Sequence, residues 1–177
     1  EYAADIVTTA YYTGMRAGEI FNLTWKKARL EEVVIDLLAA DTKTSEPRRV
    51  PLNGELRRLL TELRKVRHLK HDWVFTYEGR PIREIKRSFK RACREAGIED
   101  FRFHDLRHTF NTNMRKAGVD RSVIMKITGH KTMSMFERYN TVDESDAREA
   151  YRKLHFFLNA PPSGGEITAI LLQGPQQ

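Results

Sequence analysis

The chain has 177 residues, 31 Lys and Arg against 24 Asp and Glu, a formal charge of +7 and 40% hydrophobic residues. That suffices for one large core or two small ones, and the basic balance (pI near 9.6) favours polyanionic partners without separating DNA from RNA or acidic lipid. The lone Cys93 excludes an internal disulfide or a cysteine-cluster metal site, and no apolar run approaches the roughly 20 residues of a membrane span or the pattern of a secretory signal.

In chain order, Ala4 to Thr13 reads as a helix ended by Gly14, and Ala17 to Trp25 as a short second helix. Val33 to Leu38 is β-branched and apolar, hence a strand. Asp41 to Pro47 has turn chemistry, and Arg48 to Leu52 returns as a second strand of a hairpin. Asn53 is placed to cap a helix whose apolar stripe is Leu56, Leu59, Leu60, Leu63 and Val66. Trp73-Val74-Phe75 reads as a third short strand. Pro81 suits the first turn of a helix running to about Ala96, with Gly97 as its stop. Further helices run from His104 to Lys116, from Asp120 to Gly129, from Phe136 to Tyr139, and from Asp143 to Leu158. The expected fold class is mainly α with a small antiparallel β-sheet, an α+β arrangement. Pro161 to Gly165 reads as a linker, and Glu166 to Leu172 as a short apolar segment.

One face carries charge in a specific way. Arg83, Lys86, Arg87, Lys90, Arg91 and Arg94 recur at helical spacing, while Ile82, Ile85, Phe89, Ala92 and Ala96 fall opposite. The ordinary interpretation is a solvated helix face. Like charges at successive turns repel by a few tenths of a kcal/mol, roughly, per pair. Phosphates lying along that face would remove the cost.

Four short segments carry candidate chemistry. Thr13-Gly14-Met15-Arg16 leads to Glu19 at a corner between helices. His104-Asp105-Leu106-Arg107-His108-Thr109-Phe110 brings His104 and Arg107 to neighbouring positions on a helix, with Leu106 and Phe110 available as anchors. Gly129-His130 ends another helix, and Arg138-Tyr139 follows. Each alone has a bland interpretation, such as a local ion pair or a polar helix start.

Together, and in this order, they resemble the tyrosine recombinase (phage integrase) family, from Glu1 to about Leu158. The hairpin Asp41-Thr42-Lys43-Thr44, followed by Pro47-Arg48-Arg49-Val50-Pro51-Leu52, matches where that family carries a catalytic lysine. The resemblance implies DNA strand cleavage and rejoining with Tyr139 as nucleophile and a 3′-phosphotyrosyl intermediate. Arg16 and Arg107 would hold the non-bridging oxygens, since forked, permanently charged donors suit them. His104 would move the phenol's proton, His130 would add a hydrogen bond to the phosphate, and Lys43 would protonate the departing 5′ oxygen. Lys26 and Lys27 are its rivals. Glu19 is better suited to orient Arg16 than to act as an acid.

No metal, cofactor or ATP is implied, because the phosphotyrosine keeps the bond energy for resealing. The implied partner is double-stranded DNA with a specific recombination site. The expected assembly is a tetramer on paired sites, monomeric or weakly associated when free, without membrane attachment, acting in the cytoplasm at the nucleoid. Integration and excision of a mobile element leads. Xer-type chromosome-dimer resolution, a type IB topoisomerase and a catalytically idle DNA-binding module are the alternatives. The expected boundaries are a catalytic domain over 1–160 and a tail over 161–177 that could exchange between protomers, with the family's N-terminal core-binding domain absent from this chain. Tyr2, Tyr11, Tyr12, Tyr77 and Tyr151 read as packing or surface residues. His68, His71, His108 and His155 lack metal-ligand spacing.

Overall fold

A computed structural model describes residues 2–43, 45–68, 70–137 and 144–159. Contacts divide the chain into a unit spanning Glu1–Asn140 and a second spanning Thr141–Gln177.

The first unit is built around two helices beside which the candidate motifs lie. Helix α1 (Tyr2–Thr13) buries Ile6, Thr9, Ala10 and Thr13, and α5 (Asp105–Lys116) packs along it. Thr13 ends α1 by turning its hydroxyl back to the Thr9 carbonyl at 2.6 Å while accepting the Met15 N–H at 3.2 Å. Gly14 then takes φ +60°, a left-handed conformation that glycine adopts at little cost.

Helix α2 (Ala17–Phe21) is shorter than the sequence suggests. Asn22 closes it, and the following backbone joins an extended segment instead: Thr24 bridges Trp73, the Val74 N–H reaches the Leu23 carbonyl and the Trp25 N–H the Asp72 carbonyl. Trp73 to Phe75 is thus not the expected strand: Trp73 makes that single bridge, and Val74 and Phe75 form a bend before the next strand.

Strands β1 (Ala28–Arg29), β2 (Val34–Leu37) and β3 (Arg48–Pro51) form an antiparallel sheet in that order. The expected hairpin is present, with Ile35 opposite Val50 and Leu37 opposite Arg48. β2 starts one residue late because Val33 has φ 56°, outside the extended region. A 3-10 turn (Ala39–Asp41) leads into the hairpin loop.

Asn53 caps α3 (Gly54–Lys65), its side chain accepting from the Leu56 N–H at 2.8 Å. Leu56 and Leu60 are fully buried, but Val66 lies past the last turn and is 81% exposed. Pro81 does not open a helix. It pairs with Thr76 in a hairpin of β4 (Thr76–Tyr77) and β5 (Arg80–Pro81). Glu78 and Gly79, both with positive φ, supply the two-residue turn that fits strand twist. Helix α4 (Lys86–Glu95) therefore begins later than expected.

Helices α6 (Arg121–Thr128), capped by the Asp120 carboxylate on the Ser122 N–H, and α7 (Met133–Glu137) complete the described part of the unit. The core joins α1, α2, the three-stranded sheet, α3, α4 and α5 through Ile6, Ile20, Ile35, Leu56, Phe89 and Leu106. In the second unit α8 (Glu144–Asn159) is a single helix, with Arg148 paired to Glu144 and Arg152 to Glu149. The observed class is the expected one, mainly helical with small antiparallel sheets. No helix among the described residues is long and apolar enough to cross a membrane.

Candidate active site

The site assembles at the carboxyl end of α6. A helix end leaves its last carbonyls without partners and carries partial negative charge, and here three arginines from distant parts of the chain answer three consecutive carbonyls. Arg48 donates from Nε to Ile127 at 2.8 Å, Arg107 from Nη2 to Thr128 at 2.6 Å, and Arg16 from Nη2 to Gly129 at 3.0 Å. Gly129 has φ 73° and turns the chain so that His130 follows beside Arg107.

Arg107 stands on the buried side of α5 and is 2% exposed. Its Nη1 also donates to the Gly14 carbonyl at 2.7 Å, so the glycine of the first motif is held by the arginine of the second. The two motifs touch directly as well: a Cβ at Gly14 would stand 2.5 Å from Phe110 Cδ1. Burial, followed by the charge of Arg16, brings the Arg107 guanidinium down to about 9, which leaves it charged at neutral pH.

Glu19 is 3% exposed and grips Arg16 twice, accepting its backbone N–H at 2.8 Å and its Nη1 at 3.1 Å. Its Oε2 also accepts from Arg48 Nη2 at 2.6 Å. Burial pushes this carboxyl up, but the hydrogen bond and charge of Arg48, with those of Arg16, outweigh it and hold Glu19 below the ordinary carboxylate range. Glu19 thus contacts Arg16 through both its backbone and its side chain.

The contacts of His130 fix its tautomer. Arg107 Nη2 can only donate, so His130 Nε2, 3.1 Å away, accepts. Thr128 Oγ1 donates to the Ile124 carbonyl at 2.8 Å and therefore accepts from His130 Nδ1–H at 2.8 Å. Burial, then the charges of Arg107 and Arg16, push His130 down to about 4. As arranged, both its nitrogens are engaged, and a hydrogen bond from Nε2 to a phosphate would first require a proton there.

His104 is at the N-cap of α5, edge-on to His108 with ring centroids 4.9 Å apart. Desolvation by the surrounding protein, then the Arg107 charge, lowers it against the opposing pull of Asp105. It is thus neutral, and able to accept a proton, at neutral pH.

Of the lysine candidates, Lys27 is taken up by Asp41 at 2.6 Å. Lys26 and Lys43 are both exposed, and Lys43 lies on the β2–β3 loop as expected. Tyr139 lies outside the described residues, as does the tail from Ala160 onward.

The basic row is partly redrawn. Lys86, Arg87, Lys90, Arg91 and Arg94 are exposed on α4 around the buried Phe89, with Ala92 and Ala96 exposed too. Arg83 precedes the helix, because β5 occupies its expected first turn; it donates to Asn22 Oδ1 at 3.1 Å and lies over the Trp73 ring. Arg91 is paired with Glu95 and Lys86 with Glu84.

Arg48 was not among the expected site residues. The signal was the period of two in the strand: Arg48, Val50 and Leu52 share a face, and that face is buried. Among the described residues, no group of three or more His, Cys, Asp or Glu could hold a metal.

The chain is similar in sequence and in fold to known proteins. Residues 2–146 match the Phage integrase family. The integrase of Salmonella phage P22 is 31% identical over 164 residues, covering 85% of this chain and 42% of that protein. Tyrosine recombinase XerC of Staphylococcus carnosus is 29% identical over 160 residues, covering 85% and 52%. The chain thus spans about half the length of these curated relatives. Among solved structures, the XerA recombinase superposes with a TM-score of 0.68 at 28% identity, over 86% of this chain and 56% of that one. The Tn1549 transposon integrase in complex with transposon right end DNA gives 0.71 at 22%, over 87% and 59%. The two arginines, the glycine-histidine at the end of α6 and the lysine hairpin thus stand in a chain that belongs to the phage integrase family.

Proposed function

We propose that this chain is the catalytic part of a site-specific DNA recombinase that cuts and reseals strands through Tyr139. The observation that carries this reading is the convergence of Arg16, Arg107 and His130 at the end of α6. Two guanidiniums and a third behind them face one buried carboxylate, Glu19. Among the described residues the surplus positive charge meets carbonyls rather than a second carboxylate, and it suits a phosphodiester whose charge grows on the way to a phosphorane.

In the proposed reaction the Tyr139 oxygen attacks phosphorus as its proton passes to His104. The P–O5′ bond breaks, Lys43 gives a proton to the leaving oxygen, and the phosphotyrosine stays on the 3′ side. Attack by a 5′ hydroxyl reverses these steps and reseals the strand. Arg16 and Arg107 hold the non-bridging oxygens. His130 holds Arg107 in the free protein and turns to the phosphate once it gains a proton. The exposed α4 cations Lys90 and Arg94 lie along the duplex. The DNA carries a specific site, and the working assembly is a tetramer on paired sites. Integration or excision of a mobile element is the favoured task, supported by the match to the P22 integrase.

The test is a suicide duplex carrying the cognate site, with cleavage products resolved on denaturing gels. The expected result is a covalent protein–DNA species that persists in EDTA and is lost in Tyr139→Phe. Absence of that species on a verified site, with the fold intact, overturns the proposal.

A further inference from the structure

We propose that Arg48 is a positioning residue for the phosphate-binding arginines, setting Arg16 through Glu19 and tying the lysine hairpin to the end of α6. This rests on the strand-cleavage reading above and adds to it a residue that does not touch the phosphate.

The side chain of Arg48 is 5% exposed, whereas its neighbour Arg49 on the same strand is 65% exposed. A guanidinium on the buried face of an edge strand is a costly choice, since that face is otherwise filled by Val50 and Leu52. Stability does not account for it, because a buried ion pair is often no better than an apolar side chain of the same volume. What Arg48 gives is geometry. Its Nη2 meets Glu19 Oε2 at 2.6 Å, and that same oxygen accepts the Arg16 backbone N–H at 2.8 Å while Oε1 holds Arg16 Nη1 at 3.1 Å. Its Nε takes the Ile127 carbonyl at 2.8 Å.

One guanidinium therefore fixes the carboxylate that aims Arg16 and the turn that presents Thr128, Gly129 and His130. Nη1 is buried without a hydrogen-bond acceptor among the described residues and rests against Gly129, where a Cβ would stand 3.0 Å from it. That close seat, together with a φ of 73°, favours glycine at the turn. A second tie, Lys131 to Glu46 at 3.4 Å, joins the same hairpin to the segment after His130. Lys43 and the arginine cradle are thus carried by elements that Arg48 locks together.

Lysine cannot replace it. A single ammonium is a point charge and cannot reach Glu19 and Ile127 in the fork geometry that a guanidinium offers.

The experiment compares wild type, Arg48→Met, Arg48→Lys and Arg16→Ala in the 177-residue chain. It measures thermal unfolding, DNA affinity, single-turnover cleavage of the suicide duplex at saturating DNA, and hydrogen exchange by NMR of the Arg16 backbone N–H, which Glu19 Oε2 accepts. In Arg48→Met the expected result is affinity within about threefold of wild type and cleavage slowed roughly 10- to 100-fold, as when an outer hydrogen-bond partner of a reactive group is lost. Exchange at Arg16 accelerates in the same variant. Arg48→Lys restores less than half of the cleavage loss on a logarithmic scale.

Cleavage unchanged within about twofold in a folded Arg48→Met, or full rescue by lysine, overturns the proposal, since lost positioning should cost far more. If Arg48→Met does not fold, Arg48→Lys carries the test with the same criteria. If wild type forms no adduct, the strand-cleavage reading fails, and the exchange of Arg16 alone decides Arg48: unchanged exchange overturns its positioning role. Arg16→Ala calibrates the loss that a displaced Arg16 can cause.

Discussion

Replacing Gly14 by alanine tests the joint between the two arginine motifs. Gly14 has φ +60°, where an L side chain costs on the order of 1 kcal/mol. The added Cβ would lie 2.5 Å from Phe110 Cδ1 and 3.0 Å from Cγ, well inside the ~3.5–4 Å at which carbon atoms rest. Phe110 is only 9% exposed, so its ring cannot swing into solvent, and forcing such a methyl into a packed site costs about 1–3 kcal/mol. The sum is about 2–4 kcal/mol. For a domain of this size that lowers Tm by roughly 5–15 °C. The assay is thermal and urea unfolding of wild type, Gly14→Ala, Phe110→Leu and the double variant. The smaller, flexible leucine should relieve the steric part, so alanine at 14 costs about 1 kcal/mol less in that background. A Tm for Gly14→Ala within about 2 °C of wild type refutes the reasoning, and equal costs in both backgrounds refute the contact with Phe110. Because the Gly14 carbonyl holds Arg107 Nη1 at 2.7 Å, the folded fraction of the variant should also cleave more slowly.

Three further outcomes are expected. His130, pushed down to about 4 by burial and then by Arg107 and Arg16, should titrate near there in an NMR pH series; a midpoint near 6.5 contradicts the assigned contacts. Its folded value lies below its unfolded one, so the stability it lends is complete above about pH 6.5 and is lost as pH falls toward 4, and bound phosphate should raise the midpoint. Glu19→Gln leaves Arg16 and Arg48 facing each other without their carboxylate, and should cost about 3 kcal/mol or more in urea unfolding. The carboxyl of wild type, held low, contributes stability above its unfolded value and loses it as pH drops through the folded one. On α4, Lys90→Ala and Arg94→Ala should each lower the salt slope of duplex binding by about 0.9, whereas Arg91→Ala should change it less because Glu95 already holds that guanidinium at 2.7 Å; slopes unchanged from wild type in Lys90→Ala and Arg94→Ala would remove α4 from the interface.

Legibility in the sequence followed how local each signal is. Asn53 and Asp120 cap helices as their side chains dictate, and Gly97, Gly118 and Gly129 mark helix ends through positive φ. Where the chain departed from expectation, a longer-range pairing had won. The expected second helix stops at Phe21 because Leu23 to Trp25 find backbone partners in Asp72 to Val74. The helix start expected at Pro81 yields to a hairpin whose turn, Glu78-Gly79, is itself a strong local signal that the proline outweighed. Proline suits both a helix start and an edge strand, so the residue alone could not decide.

The site was legible as a set of residue types but not as a mechanism of support. Arg16, Glu19, Arg107 and His130 are visible because each sits beside a glycine, a cap or a histidine in a short motif. Arg48 is visible only as a break in a buried strand face, a cation where an apolar residue belongs, and its meaning depends on α6, whose end lies 79 residues away along the chain. That separation carries the physical point. Three guanidiniums at one helix end repel one another, and among the described residues a single carboxylate, Glu19, offsets part of that repulsion. The remaining positive charge is held in place by the Ile127, Thr128 and Gly129 carbonyls, which are dipoles rather than counter-ions. A dipole can orient a guanidinium without neutralising it. The cradle therefore stays both rigid and short of negative charge, which is the condition under which an entering phosphate gains most from meeting it.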